Sequence, residues 1–441
     1  MLRAFTASLR TIPRRTPTPT ISSFFHSTTA ARMSSPFQQD PHDLLVIPGP
    51  IEVADSVLYA NAHPSMSHVH KDFVPVFGDA IRMTREVLYA GKDTQPFLIS
   101  GSGTLGWDQV SANLVEDGEE ALVLHSGYFA DSFTDCLQTY RASVTQLKAP
   151  IGRAVSIAQL EEALLKKQKE GKSYKVVTFT HVDTSTGVLS PAKEIAQTVR
   201  RISPSSLVIA DCVCSVASEE IKFDEWDLDV VMTASQKGLG APPGLSILLA
   251  SARAIEVFKN RKTPPSSYYG SWTKWLPIMK AYEAGSPAYF ATPPVNLIYA
   301  YNASLQLITG KRSANAPNLP SEVVVSLEDR FKLHKEAASK VRKAAAELGM
   351  KQLPLQENEA ANGMTALYYP EGLAAADILP RLAQRGIVVA GGLHSEIKDK
   401  YFRIGHMGVS VVNTERGDVD RVIKSLQEVV AEANATKSAS V

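Results

Sequence analysis

The sequence predicts an α/β protein whose mostly parallel β-sheet is flanked by helices and followed by a smaller α+β unit. Short runs rich in Val, Ile and Leu recur from about residue 44, with amphipathic helical segments between them. These runs are almost continuously apolar, as expected of strands covered by helices on both faces. After about residue 310 the alternation gives way to a polar connector and a shorter mixed pattern. A parallel sheet with a second, smaller domain accounts for all three observations.

Seven apolar runs are the predicted strands of the large sheet. They span residues 97–100, 121–125, 144–147, 176–181, 207–213, 230–234 and 246–250. The clearest helix between them begins at Ser156, which forms a capping box with Gln159. Strand, helix and strand at this spacing imply parallel pairing.

The segment 311–320 is polar and rich in Pro and Asn, as a connector would be. It divides a predicted large domain, residues 41–310, from a predicted small domain, residues 311–441. The small domain should contain helices over residues 321–348, 375–384 and 419–430. Its strands are expected over residues 365–369, 387–389 and 401–404.

Residues 1–40 are predicted to be a mitochondrial presequence with a disordered character rather than part of the fold. No acidic residue precedes Asp40, whereas five arginines lie among many Ser and Thr residues. Arg-rich, Ser-rich and acid-free composition is typical of transit peptides. A plain disordered tail is the alternative, and a start at Met33 would leave a cytosolic form.

The overall composition argues against several classes of function. The 441 residues have a formal net charge of +1 and a hydrophobic fraction of 44%. This near-neutral balance gives no extended basic surface, so nucleic acid is not an expected partner. No run approaches the roughly 20 apolar residues of a membrane span. Three cysteines are too few for a disulfide framework, which indicates a reducing compartment.

A glycine-rich turn follows the first predicted strand of the sheet. Residues 101–106 read Gly-Ser-Gly-Thr-Leu-Gly, the pattern of a dinucleotide-binding turn. A nicotinamide site would also need an acidic residue at the end of the next strand, where the sequence has His125-Ser126-Gly127. A phosphate held by backbone N–H groups at a helix N-terminus remains possible, as does a tight turn without a ligand.

Two charged residues follow apolar strands. Asp211 ends the run 207–210, where a carboxylate could be a ligand-binding group, a metal ligand or a helix cap. Lys237 follows the run 230–234 within a loop rich in Gly and Pro. An anion-binding turn, a strand-end carboxylate and a lysine amine are together what pyridoxal phosphate requires. Cys212 and Cys214 lack further ligands for a metal site and are expected to be core residues.

Four motifs occur in the order typical of one enzyme family. They are Ser-Gly-Ser-Gly at 100–103, Thr-His-Val-Asp-Thr-Ser-Thr-Gly at 180–187, Asp-Cys-Val at 211–213 and Ser-Gln-Lys-Gly-Leu-Gly-Ala-Pro-Pro-Gly at 235–244. The chain resembles class V aminotransferases, and within them the alanine–glyoxylate and serine–pyruvate branch. The resemblance runs from Pro48 almost to the C-terminus. It implies a type I pyridoxal-phosphate transferase fold and transamination between small acids, with L-alanine and glyoxylate giving pyruvate and glycine.

The resemblance also implies roles for matching residues. Lys237 would bond to the cofactor aldehyde and Asp211 would pair with the pyridine nitrogen, which makes these two the catalytic residues. The other cofactor-binding residues that it implies are Ser102, Gly103, Thr104, Phe129, Thr184, Val213, Gln236, Tyr289 and Thr292. Arg403 would bind the substrate carboxylate, with Gly49 as a second substrate-binding residue.

Two further expectations come from the family pattern. Tyr289 and Thr292 resemble a segment that reaches the phosphate from the second subunit, which implies a homodimer. The sequence departs from the mammalian pattern at Thr104, Phe129 and Thr184, where His, Trp and Ser are usual. Phe129 can still stack on a ring, and Thr184 keeps a hydroxyl group.

The same residues are compatible with other functions, both within this fold and outside it. A cysteine desulfurase needs a nucleophilic Cys late in the chain, and none follows Cys214. A lyase of the same fold, or a phosphate-binding module without catalysis, would keep the turn, although Lys237 and Asp211 favour an enzyme. Serine–glyoxylate or serine–pyruvate transamination is the nearest alternative reaction. Because Arg403 accounts for one carboxylate only, small substrates are favoured.

Overall fold

The computed structural model describes residues 37–313 and 324–439. In chain order its strands are β1 Leu44–Leu45, β2 Gln95–Ser100, β3 Glu120–His125, β4 Ser143–Lys148, β5 Val176–Thr180, β6 Val182–Asp183, β7 Val188–Leu189, β8 Leu207–Asp211, β9 Val230–Ala234, β10 Leu245–Ala250, β11 Met364–Tyr368, β12 Ile387–Val388, β13 Ala390–Gly391 and β14 Tyr401–Gly405.

The α-helices in the same order are α1 Asp55–Asn61, α2 Phe73–Val87, α3 Thr104–Leu114, α4 Tyr128–Thr139, α5 Ile157–Lys169, α6 Ala192–Ile202, α7 Ala252–Lys259, α8 Trp272–Glu283, α9 Val295–Thr309, α10 Leu327–Glu347, α11 Ala375–Gln384, α12 Val409–Val412 and α13 Asp418–Ser438. Three short 3₁₀ turns are Glu357–Glu359, Lys398–Lys400 and Thr414–Arg416. The predicted helix over 375–384 is confirmed as α11. The predicted helix over 321–348 corresponds to α10, with its first three residues outside the described part of the chain.

The large sheet contains the seven predicted strands in the order β2-β10-β9-β8-β5-β3-β4. All neighbouring pairs from β9 to β4 are parallel, which confirms the predicted mostly parallel sheet. Strand β10 is antiparallel to both of its neighbours. The connection from residue 234 to residue 245 explains the antiparallel pairing with β9, because it is shorter than the dozen or more residues of a parallel crossover.

The strand interiors form the main core. Every residue of β5, β8, β9 and β10 is buried, as the continuous apolar runs predicted. The run predicted as strand to residue 213 ends as a strand at Asp211. The next residues turn, and the carbonyl of Cys212 accepts hydrogen bonds from the N–H groups of Ser215 and Val216. The strand therefore ends at Asp211, its first charged residue.

The C-terminal part has its own antiparallel sheet in the order β11-β14-β13. A separate apolar cluster beneath it includes Phe402, Ile404 and Leu426, and also Leu44 and Val46 from the start of the described chain. Strand β1 pairs in parallel with β12, so the segment before the large sheet joins the C-terminal part. The domain boundary predicted near residue 310 stays a prediction.

The predicted presequence over residues 1–40 lies almost wholly outside the described residues, as does Met33. Within residues 37–313 and 324–439, no helix combines the length and the apolar character needed to cross a membrane.

Candidate active site

Two buried charges lie at the carboxyl edge of the large sheet. Asp211 is the last residue of β8, and Lys237 follows the neighbouring strand β9. The exposed fractions are 2% for Asp211 and 8% for Lys237. Ligands of open α/β sheets gather at this edge, because the carboxyl ends of parallel strands meet there.

A cavity of about 160 Å³ opens at this edge. Its lining consists of Ser102, Gly103, Thr104, Trp107, Phe129, Thr180, Val182, Thr184, Asp211, Val213, Cys214, Gln236 and Lys237. Every predicted cofactor-binding residue except Tyr289 and Thr292 is in this set. The structure therefore brings together residues that lie more than a hundred positions apart in the sequence.

The glycine-rich turn forms one wall of the cavity. It connects β2 to α3, so the first N–H groups of α3 lie beside the cavity at the positive end of the helix dipole. A Cβ atom on Gly103 would lie 2.9 Å from Cγ2 of Val213. Glycine at this position thus lets the turn approach the residues that follow β8. This arrangement suits a phosphate group.

Asp211 is held by two donors. Trp107 donates from Nε1 to Oδ2 at 2.8 Å, and the N–H of Val213 donates to Oδ1 at 3.1 Å. Burial raises the pKa of Asp211 to about 6, and the charge of Asp183 adds to the rise. The two hydrogen bonds and the positive charge of Lys237 oppose it. Both oxygens are thus oriented within a site from which water is largely excluded.

Lys237 is buried against the segment that precedes α1. Its Nζ donates a hydrogen bond to the carbonyl oxygen of Pro48. Burial lowers the pKa of Lys237, and Arg403 adds to this effect, whereas the charges of Cys214 and Asp211 oppose it. A lowered pKa increases the fraction of neutral amine, which is the nucleophilic and basic form.

Gly49 lies directly against the side chain of Lys237. A Cβ atom there would lie 2.2 Å from Cδ of Lys237, and Gly49 has a φ of +102°, which L side chains rarely adopt. Both observations require glycine. The structure therefore places this predicted substrate-binding residue beside the lysine amine.

Arg403 projects from β14 toward the rim of the cavity. Its Nε donates to the carbonyl of Gly391 at 2.8 Å, and Nη1 donates to the carbonyl of Thr184 at 3.1 Å. Among residues 37–313 and 324–439, no carboxylate forms an ion pair with it. Partial burial lowers the pKa of Arg403, although an arginine remains charged. The guanidinium is therefore fixed in position and available to a carboxylate ligand.

Tyr289 and Thr292 do not line the cavity of their own chain. They lie in the connection between α8 and α9, where Tyr289 is 64% exposed and its ring contacts that of His68 at 5.1 Å between centroids. The expectation that this segment contacts the cofactor of a second subunit stays a prediction.

Sequence reasoning missed Trp107, which contacts the carboxylate of Asp211 directly. Its ring stacks on Phe133 with centroids 5.6 Å apart, and this packing fixes the direction of the indole N–H. The available signal was its place in the first turn of the helix that follows the glycine-rich turn. Thr180, Val182 and Cys214 were also missed as lining residues. Cys212 and Cys214 are both buried in apolar clusters, as expected, and Cys214 also lines the cavity.

The residues of the cavity fit pyridoxal phosphate. A phosphate needs the glycine-rich turn, a pyridine nitrogen needs the carboxylate of Asp211, and an aldehyde needs the amine of Lys237. The buried Oε1 of Gln236 has no hydrogen-bond partner in the described part of the chain. Such a polar atom beside the cavity is expected to find its partner in a bound ligand or water.

Comparison with known proteins decides the family. The family model for "Aminotransferase class-V" matches residues 54–422. This chain belongs to the class V aminotransferases. The predicted fold, the assignment as an aminotransferase and the pyridoxal phosphate cofactor are thereby confirmed.

Individual relatives cover most of this aminotransferase. It is 38% identical over 382 residues to alanine–glyoxylate aminotransferase 1 of Saccharomyces cerevisiae, across 84% of this chain and 93% of the relative. It is 28% identical to an L-aspartate–glyoxylate aminotransferase of Paracoccus denitrificans, across 82% and 86% of the two chains. A solved alanine–glyoxylate aminotransferase from Nostoc sp. superimposes with a TM-score of 0.76 at 26% identity, covering 91% of this chain and 98% of the other.

The contact between Trp107 and Asp211 leads to a pH prediction. Affinity of the cofactor-free enzyme for pyridoxal phosphate should fall as the pH drops through about 6, because protonation of Asp211 removes its charge. Trp107→Phe removes a donor that favours the carboxylate, so the pKa of Asp211 and the midpoint should rise. A charge-assisted hydrogen bond of about 1.5–3 kcal/mol corresponds to a rise of about one to two pH units. Cofactor binding measured across a pH series gives both midpoints.

Trp272→Phe is the matched control. Trp272 is also buried and donates from its indole nitrogen, but to Gln109 at 3.2 Å rather than to Asp211. The midpoint of this variant should equal that of the wild type. An unchanged midpoint in Trp107→Phe would show that the indole N–H does not control the carboxylate.

Proposed function

We propose that this aminotransferase transfers the amino group of L-alanine to glyoxylate and releases pyruvate and glycine. The cavity supports a donor with one carboxylate and a small side chain. The yeast and Nostoc relatives, both alanine–glyoxylate aminotransferases by name, support the same pair of substrates.

The proposal rests on the small number of basic side chains in and beside the cavity. Among its lining residues, all in the described part of the chain, Lys237 is the one basic side chain. Arg403 at the rim adds one guanidinium. A donor such as aspartate has a second carboxylate, for which residues 37–313 and 324–439 offer no further cation in the lining. Alanine and glyoxylate each need only one carboxylate to be bound.

Arg403 is proposed to bind and orient the substrate. Its planar guanidinium can donate to both oxygens of a carboxylate, which fixes the direction of the substrate relative to the cavity. Two backbone carbonyls already hold the guanidinium, one through Nε and one through Nη1. Because its position is fixed before substrate arrives, little conformational entropy is lost on binding.

The proton steps are assigned to Lys237. Bound pyridoxal phosphate supplies an aldehyde that takes up the amino group and a pyridine ring that accepts electrons from the Cα–H bond. Nζ of Lys237, with its pKa lowered by burial, is proposed to remove the Cα proton and later return a proton on the other side of the transferred nitrogen. Asp211 is proposed to keep a proton on the pyridine nitrogen.

Serine is the second candidate donor. Three threonines, Thr104, Thr180 and Thr184, line the cavity and can offer hydroxyl groups to a hydroxymethyl side chain. Serine–glyoxylate or serine–pyruvate transamination would use the same Lys237, Asp211 and Arg403.

We further propose that the enzyme is a homodimer and is directed to the mitochondrial matrix. The exposure of Tyr289 and its absence from the lining of its own cavity support a shared active site. The acid-free, arginine-rich segment before Asp40 supports the targeting proposal, with a cytosolic form from Met33 as its alternative.

The donor proposal is tested by steady-state kinetics of the purified holoenzyme with glyoxylate as acceptor. Alanine should give the highest kcat/KM, serine a lower value and aspartate the lowest, because the second carboxylate of aspartate lacks a basic partner. A higher kcat/KM for aspartate than for alanine would contradict the proposed donor and leave the transaminase assignment intact.

Arg403→Lys should raise the KM for alanine and glyoxylate by about tenfold or more. The lysine keeps the positive charge but loses the paired donors, and a charge-assisted hydrogen bond contributes about 1.5–3 kcal/mol. Arg141→Lys is the control, since the Arg141 side chain is 78% exposed. Equal KM values in wild type and Arg403→Lys would remove Arg403 from carboxylate binding.

A further inference from the structure

A second buried arginine lies outside the cofactor cavity. Arg330, in the first turns of α10, is 4% exposed and lines a cavity of about 330 Å³. The other lining residues include Gly240, Ser304 and Leu307. This cavity, here called the α10 cavity, shares no lining residue with the cofactor cavity. The proposed transamination does not use it.

Arg330 lacks the partners that a buried guanidinium normally has. Its Nε has no hydrogen-bond partner within residues 37–313 and 324–439. Nη2 makes one long contact of 3.5 Å, to the carbonyl of Gly238. No carboxylate of the described residues forms an ion pair with it, and burial lowers its pKa to about 10 without an opposing negative charge. Buried charges in proteins are normally paired or bound to a ligand.

The carboxylates that line the α10 cavity are engaged elsewhere. Glu52 accepts from Nη2 of Arg416 at 2.9 Å and from the N–H of Leu45 at 2.9 Å. Asp55 accepts from Nε2 of Gln39 at 2.8 Å. The remaining acidic residue, Glu415, is exposed. Neither engaged group neutralises Arg330, yet their negative charge disfavours a highly charged ligand.

We propose that the α10 cavity is a binding site for a small oxyanion of low charge, a carboxylate or a phosphate, held by the guanidinium of Arg330. The planar guanidinium binds either group through paired hydrogen bonds. The ligand would satisfy Nε and neutralise a buried guanidinium with which no carboxylate of the described residues forms an ion pair. Gly240, which lines the α10 cavity, belongs to the same loop as Lys237, which lines the cofactor cavity.

Thermal unfolding of the holoenzyme tests the site. Acetate and inorganic phosphate are titrated separately at constant ionic strength, with sodium chloride making up the difference. One of them should raise the melting temperature of the wild type in a saturable way, and the stronger response identifies the preferred oxyanion. Arg330→Met should weaken the apparent affinity at least about 10-fold, which corresponds to about 1.4 kcal/mol.

Three further variants make the result specific. Leu307→Trp fills the cavity without removing the guanidinium, so it should also abolish the response, and it decides the matter if Arg330→Met does not fold. Arg201→Met replaces an arginine whose side chain is 60% exposed and should respond as the wild type does. Arg403→Met removes the proposed carboxylate-binding arginine beside the cofactor cavity, so any acetate response of that cavity is lost and the response that remains belongs to the α10 cavity. A wild type without a saturable response, a response lost in Arg403→Met, or one kept when Arg330→Met is combined with Arg403→Met would overturn the proposal.

Discussion

The burial of two opposite charges at one edge of the sheet governs the arrangement of the active site. Asp211 and Lys237 lie where neighbouring strands end, and an isolated charge at such a depth is strongly destabilising. Each is therefore stabilised by specific contacts: Trp107 and the N–H of Val213 hold the carboxylate, and the carbonyl of Pro48 holds the amine. Burial raises the pKa of Asp211 and lowers the pKa of Lys237, so each shift favours the neutral form. Shifted pKa values of this kind are typical of functional sites.

Three distant parts of the chain must meet for this site to exist. The large sheet supplies the two charges, the segment before α1 covers Lys237, and β14 brings Arg403 to the rim. Glycines permit these close approaches. A Cβ atom on Gly405 would lie 2.1 Å from the carbonyl of Ile47, so glycine there lets the covering segment pass directly beside β14. The N–H of Gly405 also donates to the carbonyl of Val46 at 2.8 Å. One short segment, residues 46–49, therefore contacts both Lys237 and the end of the strand that bears Arg403.

Local sequence patterns predicted much of this structure, but they could not predict contacts between residues that lie far apart in the sequence. Apolar runs located the strands of the large sheet, and the residues after them pointed to Asp211 and Lys237 because strand ends converge. The hydrogen bond between Trp107 and Asp211 joins residues 104 positions apart, and the spacing of apolar residues does not predict such a contact. The sequence could not predict that Arg330 lacks an ionic partner, because the residues around it belong to several helices. Strand β10 could have been recognised as antiparallel from the length of the connection before it.

The most direct test of the account is the absorption spectrum of the purified holoenzyme before and after addition of alanine, followed by glyoxylate. If Lys237, Asp211 and Arg403 act as proposed, the visible band of the enzyme-bound cofactor should fade with alanine and return with glyoxylate. Lys237→Ala should show neither change. A holoenzyme whose band ignores alanine, serine and every other amino donor would contradict the assignment of this cavity to amino-group transfer.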